Sequence, residues 1–322
     1  MAWFSATVTM ILALLCAGGT RNAIADDSYP THPVRIVSPY AAGGTPDTVA
    51  RILAEHLTRR LKQSFFVENR TGANGAIASE SVASSPADGY TLLLASDGPI
   101  VIMPLLKPSA DFSKRLTPVN LTAESSFVLM ARTDLPVRTL ADVIALARKE
   151  QLTFGSAGVG SQHHLAGELL KSRAKIDLAH VPYKGSAEAV GDLVGKRIDL
   201  LFGGIPPSLP FIAAGQVRPI AVTSERRSDK LPEVPSFAES GFAGYKVAFW
   251  AGLMAPAGTP ASVIDKLNET ISEIVKSPDV TARFEKIGVE PLNLGPAQFR
   301  DRLREDRHRW ASVIEESGLK MP

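Results

Sequence analysis

The chain has 322 residues, 45% of them hydrophobic and 21% charged, enough to bury a full core and to form roughly two domains. Lys and Arg number 35 against 33 Asp and Glu, so the formal charge is +2 and no global field is present to gather nucleic acid or an anionic membrane. One cysteine, Cys16, excludes both a disulfide framework and a cysteine-rich metal site.

Residues 6–19 are apolar or small, a run too short for the roughly 20 residues of a spanning helix. Ala23, Ile24 and Ala25 supply the small residues of a signal-peptidase site, and Asp26-Asp27-Ser28 opens a polar mature chain. A cleavable signal peptide over residues 1–25 is therefore expected. No Lys or Arg precedes Ile11, so its positive end rests on the terminal amine. A lipoprotein reading of Leu14-Leu15-Cys16 is weaker, because the residue before a lipidated cysteine is normally small. Cleavage removes Arg21 and no acid, taking the formal charge from +2 to +1 and leaving no cysteine.

Strand and helix patterns then alternate, which predicts an α/β chain with mostly parallel pairing. In order, the pattern predicts a strand over 34–37, a turn over 40–46, a helix over 48–61 with Val49, Ile52, Leu53 and Leu57 on one face, and a strand over 65–67. A small-residue helix over 73–84 precedes strand 91–95, whose TLLLA run suits a strand covered on both faces. Further strands are predicted over 128–131, 152–154, 179–181, 200–202 and 219–223, with helices over 140–149, 164–172 and 187–194. Thr259-Pro260 starts a helix running to about residue 276, and a last helix covers 296–316. Extended segments 125–134 and 246–256 read as crossings between two domains, the first of which is discontinuous.

Two strand-to-helix loops carry the chemistry. The first, residues 38–47, holds Tyr40, Ala42, Gly43, Gly44, Thr45 and Asp47. Two glycines let the backbone approach a ligand and the helix behind them presents free N–H groups, which suits an anion; equally, the glycines can make a tight turn and Asp47 cap the helix. It lacks the Gly-Lys-Ser/Thr of a phosphate loop and the spaced glycines of a dinucleotide site. The second, residues 154–164, holds Ser156, Gly158, Gly160, Ser161 and Gln162; His163 stands where a dinucleotide fingerprint needs its third glycine. Two anion-friendly loops facing each other make a clamp. Ser161 near His164 leaves a serine hydrolase as an alternative, although no Gly-x-Ser-x-Gly elbow occurs. The six histidines include no i, i+4 pair, and His164 with Glu168 is a lone candidate pair, so no metal is expected. The run RDRLREDRHR at 300–309 mixes signs as a solvated helix face does.

Several of these segments stand in the order of a known family. They are residues 29–37, Gly43-Gly44 with Asp47, Ala50 and Arg51, the run Val67-Glu68-Asn69-Arg70, Asp88 to Leu92, His180 to Ser186, Ala221 to Ser224 with Leu231-Pro232 and Val234-Pro235, and Ala255 to Pro260. Together they resemble the Bug (tripartite tricarboxylate transporter, TctC-like) extracytoplasmic solute-binding proteins across essentially the whole mature chain. The resemblance implies a two-lobed periplasmic-binding-protein fold of type II kind, each lobe a mostly parallel sheet flanked by helices. Residues 26–125 and 250–322 would form lobe 1 and residues 126–249 lobe 2. It implies a periplasmic monomer that catalyses nothing, holds no cofactor or metal, captures a small carboxylated solute, and delivers it to the membrane permease of a tripartite tricarboxylate transporter or to a sensor protein. The carboxylate would be held by backbone N–H groups and waters in the 40–47 loop, opposite the 156–162 loop, with Tyr183 nearby.

Two departures stand out. Gly203-Gly204 replaces the acid and amide that relatives commonly carry there, which implies a lost polar contact. Ser96-Asp97 follows strand 91–95, where relatives often have small hydroxyl or glycine residues. An ionised Asp97 in the cleft would repel a second carboxylate and favour an amine or hydroxyl; alternatively, it caps the following helix.

Overall fold

A computed structural model describes residues 28–40, 42–43, 45–183, 186–317 and 319. The expected signal peptide with Cys16, and Gly44 of the first loop, lie outside the described residues.

The fold is built on one long strand. In the first half β1 (Val34–Ser38) is followed by α1 (Thr45–Leu61), β2 (Phe65–Asn69), α2 (Ala76–Ala83) and β3 (Thr91–Ala95). A π turn, Gly98–Ile102, and a short helix α3 (Met103–Leu106) then lead to β4 (Leu116–Arg132), 17 residues long. The second half adds α4 (Leu140–Ala147), β5 (Leu152–Ser156), α5 (Gln162–Ala174), β6 (Leu178–Pro182), α6 (Ser186–Val194), β7 (Leu200–Gly204), α7 (Ile205–Ala213) and β8 (Val217–Val222). The chain returns with β9 (Ala248–Pro256), α8 (Ala261–Val275), α9 (Pro278–Ile287), β10 (Glu290–Leu294) and α10 (Pro296–Ser317).

Strand order is β2-β1-β3-β9-β4 through the first half and β4-β7-β5-β6 through the second, with β10 and β8 also paired to β4. The β1, β2 and β3 strands are parallel, as are β5, β6 and β7, while β9 opposes its neighbours in the first half and β4 opposes β7 and β8 in the second. Both halves thus repeat one plan: three parallel strands, one reversed strand, and a further strand beyond it. β4 changes partners midway. Ser126 pairs with Ala248 of β9, whereas Phe127 pairs with Gly204 of β7. Buried Thr223 ties this point to the returning chain: its Oγ accepts from Phe127 N–H at 2.9 Å and donates to the Val247 carbonyl at 2.5 Å.

The TLLLA strand shows why the halves fold as they do. Leu92 and Leu94 pack with the α1 face (Val49, Ile52, Leu53, Leu57) and with Ile264 and Leu267 of α8. Leu93 and Ala95 join the opposite core with Ala78 and Val82 of α2 and Trp250 and Trp310. A period of two with both faces apolar is a strand between two helix layers. That second core runs on through Phe127, Phe154 and Leu165, so it joins the halves. Helix α10 lies against β4 and β10 and along α5, where Ser172 Oγ donates to Glu316 at 2.5 Å.

Several expectations differ in extent. The strand expected over 128–131 is the tail of β4. Residues 205–213 are helical despite three prolines: Pro206 and Pro207 fall in the first turn, where N–H groups have no intrahelical acceptor, and only Pro210 removes an interior bond. Helix α9 and strand β10 had no sequence expectation.

Candidate functional site

The first loop is stapled by Asp47. Its carboxylate is 1% exposed; Oδ2 accepts from Gly43 N–H at 2.9 Å and Arg51 Nε at 2.8 Å, and Oδ1 accepts from Asn69 Nδ2 at 2.7 Å. Burial pushes this acid up, but the bonds from Arg51, Asn69 and Gly43 outweigh it and hold it below the ordinary carboxylate range. Gly43 sits at φ +85°, in the left-handed region a glycine adopts without strain. Asp47 thus organises the loop and already engages one of its backbone donors. The same Asn69 amide also donates to the Tyr40 carbonyl at 2.9 Å. Ala42 is exposed at the tip, and Thr45 is the first residue of α1.

Tyr40 turns inward. Its hydroxyl bonds Ser96 Oγ and its ring meets Phe249 edge-on at 6.2 Å. Burial raises the phenol well above its ordinary pKa, so it stays protonated.

The second loop is wound around its own hydroxyls. Gly158 and Gly160 lie at φ +109° and +76°. Ser156 Oγ accepts from Gly158 N–H at 3.1 Å and contacts His180 Nε2 at 2.6 Å. Ser161 is the N-cap of α5: its Oγ accepts from His164 N–H at 3.3 Å and donates to the Gly158 carbonyl at 2.7 Å. Gly160 N–H donates to His164 Nδ1 at 3.1 Å, and the His164 and His180 rings stack 3.8 Å apart. Burial drives both His163 and His180 down to about 4, with His164 lowering His180 further, so both are neutral near pH 7. The backbone N–H groups at this helix start supply positive potential.

The second loop also reaches the end of β3, beside Ser96, to which Tyr40 of the first loop bonds. Gln162 Nε2, at the start of α5, donates to Asp97 Oδ1 at 2.5 Å, joining the end of β3 to the N-terminus of α5. Asp97 is 1% exposed and makes no capping bond to the turn that follows it, so the helix-cap alternative does not hold. Burial pushes its carboxyl up to about 7.

Tyr183 lies beside the second loop. Its N–H bonds the Ser156 carbonyl at 3.0 Å and its hydroxyl donates to Asp192 at 2.9 Å. Gly203 is inside β7, and a Cβ there would meet Met130 Cε at 2.7 Å and Ser208 Oγ at 2.8 Å. Space at Gly203 is thus limited by core packing. Asn69, the last residue of β2, was not singled out as a site residue from sequence.

The hydrolase geometry does not form. Ser161 Oγ and His164 Nδ1 each have other partners, and no bond joins the two side chains among the described residues. Among the described residues no cluster of three or more His, Cys, Asp or Glu could hold a metal ion, and no helix is long and apolar enough to cross a membrane. A separate cavity of about 400 Å³, lined by charged residues including Glu124, Asp229, Lys246 and Glu290, contains none of these site residues.

Comparison with known proteins places this geometry. The family model described as "Tripartite tricarboxylate transporter family receptor" matches residues 49–319. The chain is 35% identical to protein BugT of Bordetella pertussis, covering 98% of this chain and 99% of that protein. It is 36% identical to the "UPF0065 protein in tcbD-tcbE intergenic region" of Pseudomonas sp. (strain P51), covering 96% and 93%. Among solved structures, "R. palustris Rpa4515 with adipate" superposes with a TM-score of 0.82 at 35% identity, covering 91% of this chain and 99% of that one. "MatC (Rpa3494) from Rhodopseudomonas palustris with bound malate" superposes with a TM-score of 0.78 at 30% identity, covering 89% and 100%. The periplasmic binding protein BugD does so with a TM-score of 0.78 at 33% identity, covering 91% and 99%.

Proposed function

The chain belongs to the tripartite tricarboxylate transporter family of receptors, and on that premise we propose that it captures a small carboxylated solute between two lobes and delivers it to the permease of such a transporter. The observation that carries this reading is the Asp97–Gln162 contact, which joins the end of β3 in the first half of the sheet to the N-terminus of α5 in the second, with Tyr40 of the β1–α1 loop bonded to the adjacent Ser96. Lobe 1 comprises residues 26–125 and 250–322, and lobe 2 residues 126–249; the change of partners in β4 at Ser126 and Phe127 supports this division. The protein is exported to the periplasm by residues 1–25, works as a monomer and catalyses no reaction. The carboxylate is held by N–H groups of the 40–47 and 156–162 loops, where the helix starts supply positive potential.

The test is a thermal titration of ligand-stripped protein with mono-, di- and tricarboxylates. A true ligand at about 100 times its Kd adds roughly 2.7 kcal/mol of stability. No shift with any carboxylate sinks the proposal.

A further inference from the structure

Asp97 is left half-used by the fold. Gln162 engages Oδ1, but Oδ2 is equally buried and has no hydrogen-bond partner among the described residues. A buried acid with an idle oxygen is rare in native proteins, because desolvation is not recovered. The groups around it do not fill the gap. Tyr40, whose phenol feels the Asp97 charge, spends its hydroxyl on Ser96. From α10, Arg302 donates to Asp306 and Glu124, and Arg309 donates to Asp306 through Nη2 while its buried Nε bonds no group among the described residues. His163, next to the Gln162 that grips Asp97, has a buried Nδ1 that is likewise unpartnered.

We propose that Asp97 Oδ2 accepts a hydrogen bond from the bound solute, so that the solute class is carboxylates bearing an ammonium group, with hydroxy acids second, in preference to plain di- or tricarboxylates. This rests on the proposed capture of a carboxylated solute in the same cleft. A second carboxylate at that position would meet the Asp97 oxygens across a hydrogen-bond distance, which two like charges do not tolerate without a shared proton. An ammonium supplies the missing donor and holds the acid ionised, and a hydroxyl supplies the donor without the charge.

The experiment titrates matched acids at pH 8 into wild type and Asp97→Asn: succinate, malate and aspartate; glutarate and glutamate; adipate and 2-aminoadipate. In wild type, at the chain length that binds best, the amino acid is expected to bind at least tenfold tighter than the plain diacid, and Asp97→Asn to bring that ratio within threefold. Asp97→Ser carries the same comparison if the asparagine variant does not fold. A wild-type ratio below threefold, or one that survives both substitutions, overturns the role of Asp97 while leaving carboxylate capture intact. Failure of every acid to bind overturns both proposals.

Discussion

Replacing Asp97 by Asn tests the physics of the site without any solute. Burial lifts the Asp97 carboxyl from its ordinary 3.8 to about 7, so the folded chain holds a proton that the unfolded chain releases near pH 4. Between those values the folded state binds more protons, and wild-type stability contributed by this group falls as pH rises from about 4 to about 7. The gap corresponds to about 4 kcal/mol at pH 8, at about 1.4 kcal/mol per tenfold change in acidity. Asparagine keeps an oxygen for Gln162 but cannot ionise, so it removes this penalty. The charged groups that act on it are Asp306, Arg302 and Arg309, and His163, held near 4, stays neutral above pH 5. Melting in urea or heat should therefore show Asp97→Asn more stable than wild type at pH 8, by up to about 4 kcal/mol or on the order of 8 °C, with the advantage vanishing near pH 4. Equal effects at pH 4 and pH 8, or a loss of stability at pH 8, would refute the reasoning. A positive result also implies that evolution has retained a costly acid, as sites kept for function often are.

Three other substitutions probe the frame around it. Asp47→Ala strands Arg51, Asn69 and the Gly43 N–H, and should cost about 1–3 kcal/mol in chemical unfolding and weaken carboxylate binding. Ser161→Ala removes the α5 cap and should cost about 1 kcal/mol, and it should change no esterase signal above background; an ester-hydrolysing activity that this substitution abolishes would revive the hydrolase reading. Gly288→Ala puts a Cβ 1.5 Å from Pro206 Cγ at a φ of +64°, and should cost roughly 2–4 kcal/mol by thermal melting.

Periodicity made much of the fold legible. The TLLLA run announced a doubly covered strand, and glycine-bearing turns between strand and helix marked both loops of the candidate site. The first stretch of β4 was missed although Val119, Leu121 and Ala123 alternate with Asn120, Thr122 and Glu124; bulged pairing with β9 holds it, and Asn120 bonds Asn268 of α8 and Asn293 of β10. The helix through Pro206, Pro207 and Pro210 defeated a local rule, since two of the three sit where proline is harmless. What sequence could not reveal is pairing at a distance. Asp97 and Gln162 are separated by 65 positions, and only the assembled sheet shows that one oxygen of the acid is engaged and the other idle. Asn69 and Asp47 are a further pair, 22 positions apart, that fixes the first glycine loop.

Helix α10 gives any opening of the cleft a particular mechanical character. It begins against β10 and β4 of the first half and continues along α5, whose N-terminus carries the second loop. Parting the halves by bending at Ser126 alone would tear this helix from one side or the other, so the motion has to include a glide of α10 over α5, a shear coupled to the bend. Packed helices slide in small steps set by interlocking side chains. In the proposed capture between lobes, the balance between gaping and shut forms is then adjustable from the C-terminal helix, on a surface that need never touch the solute.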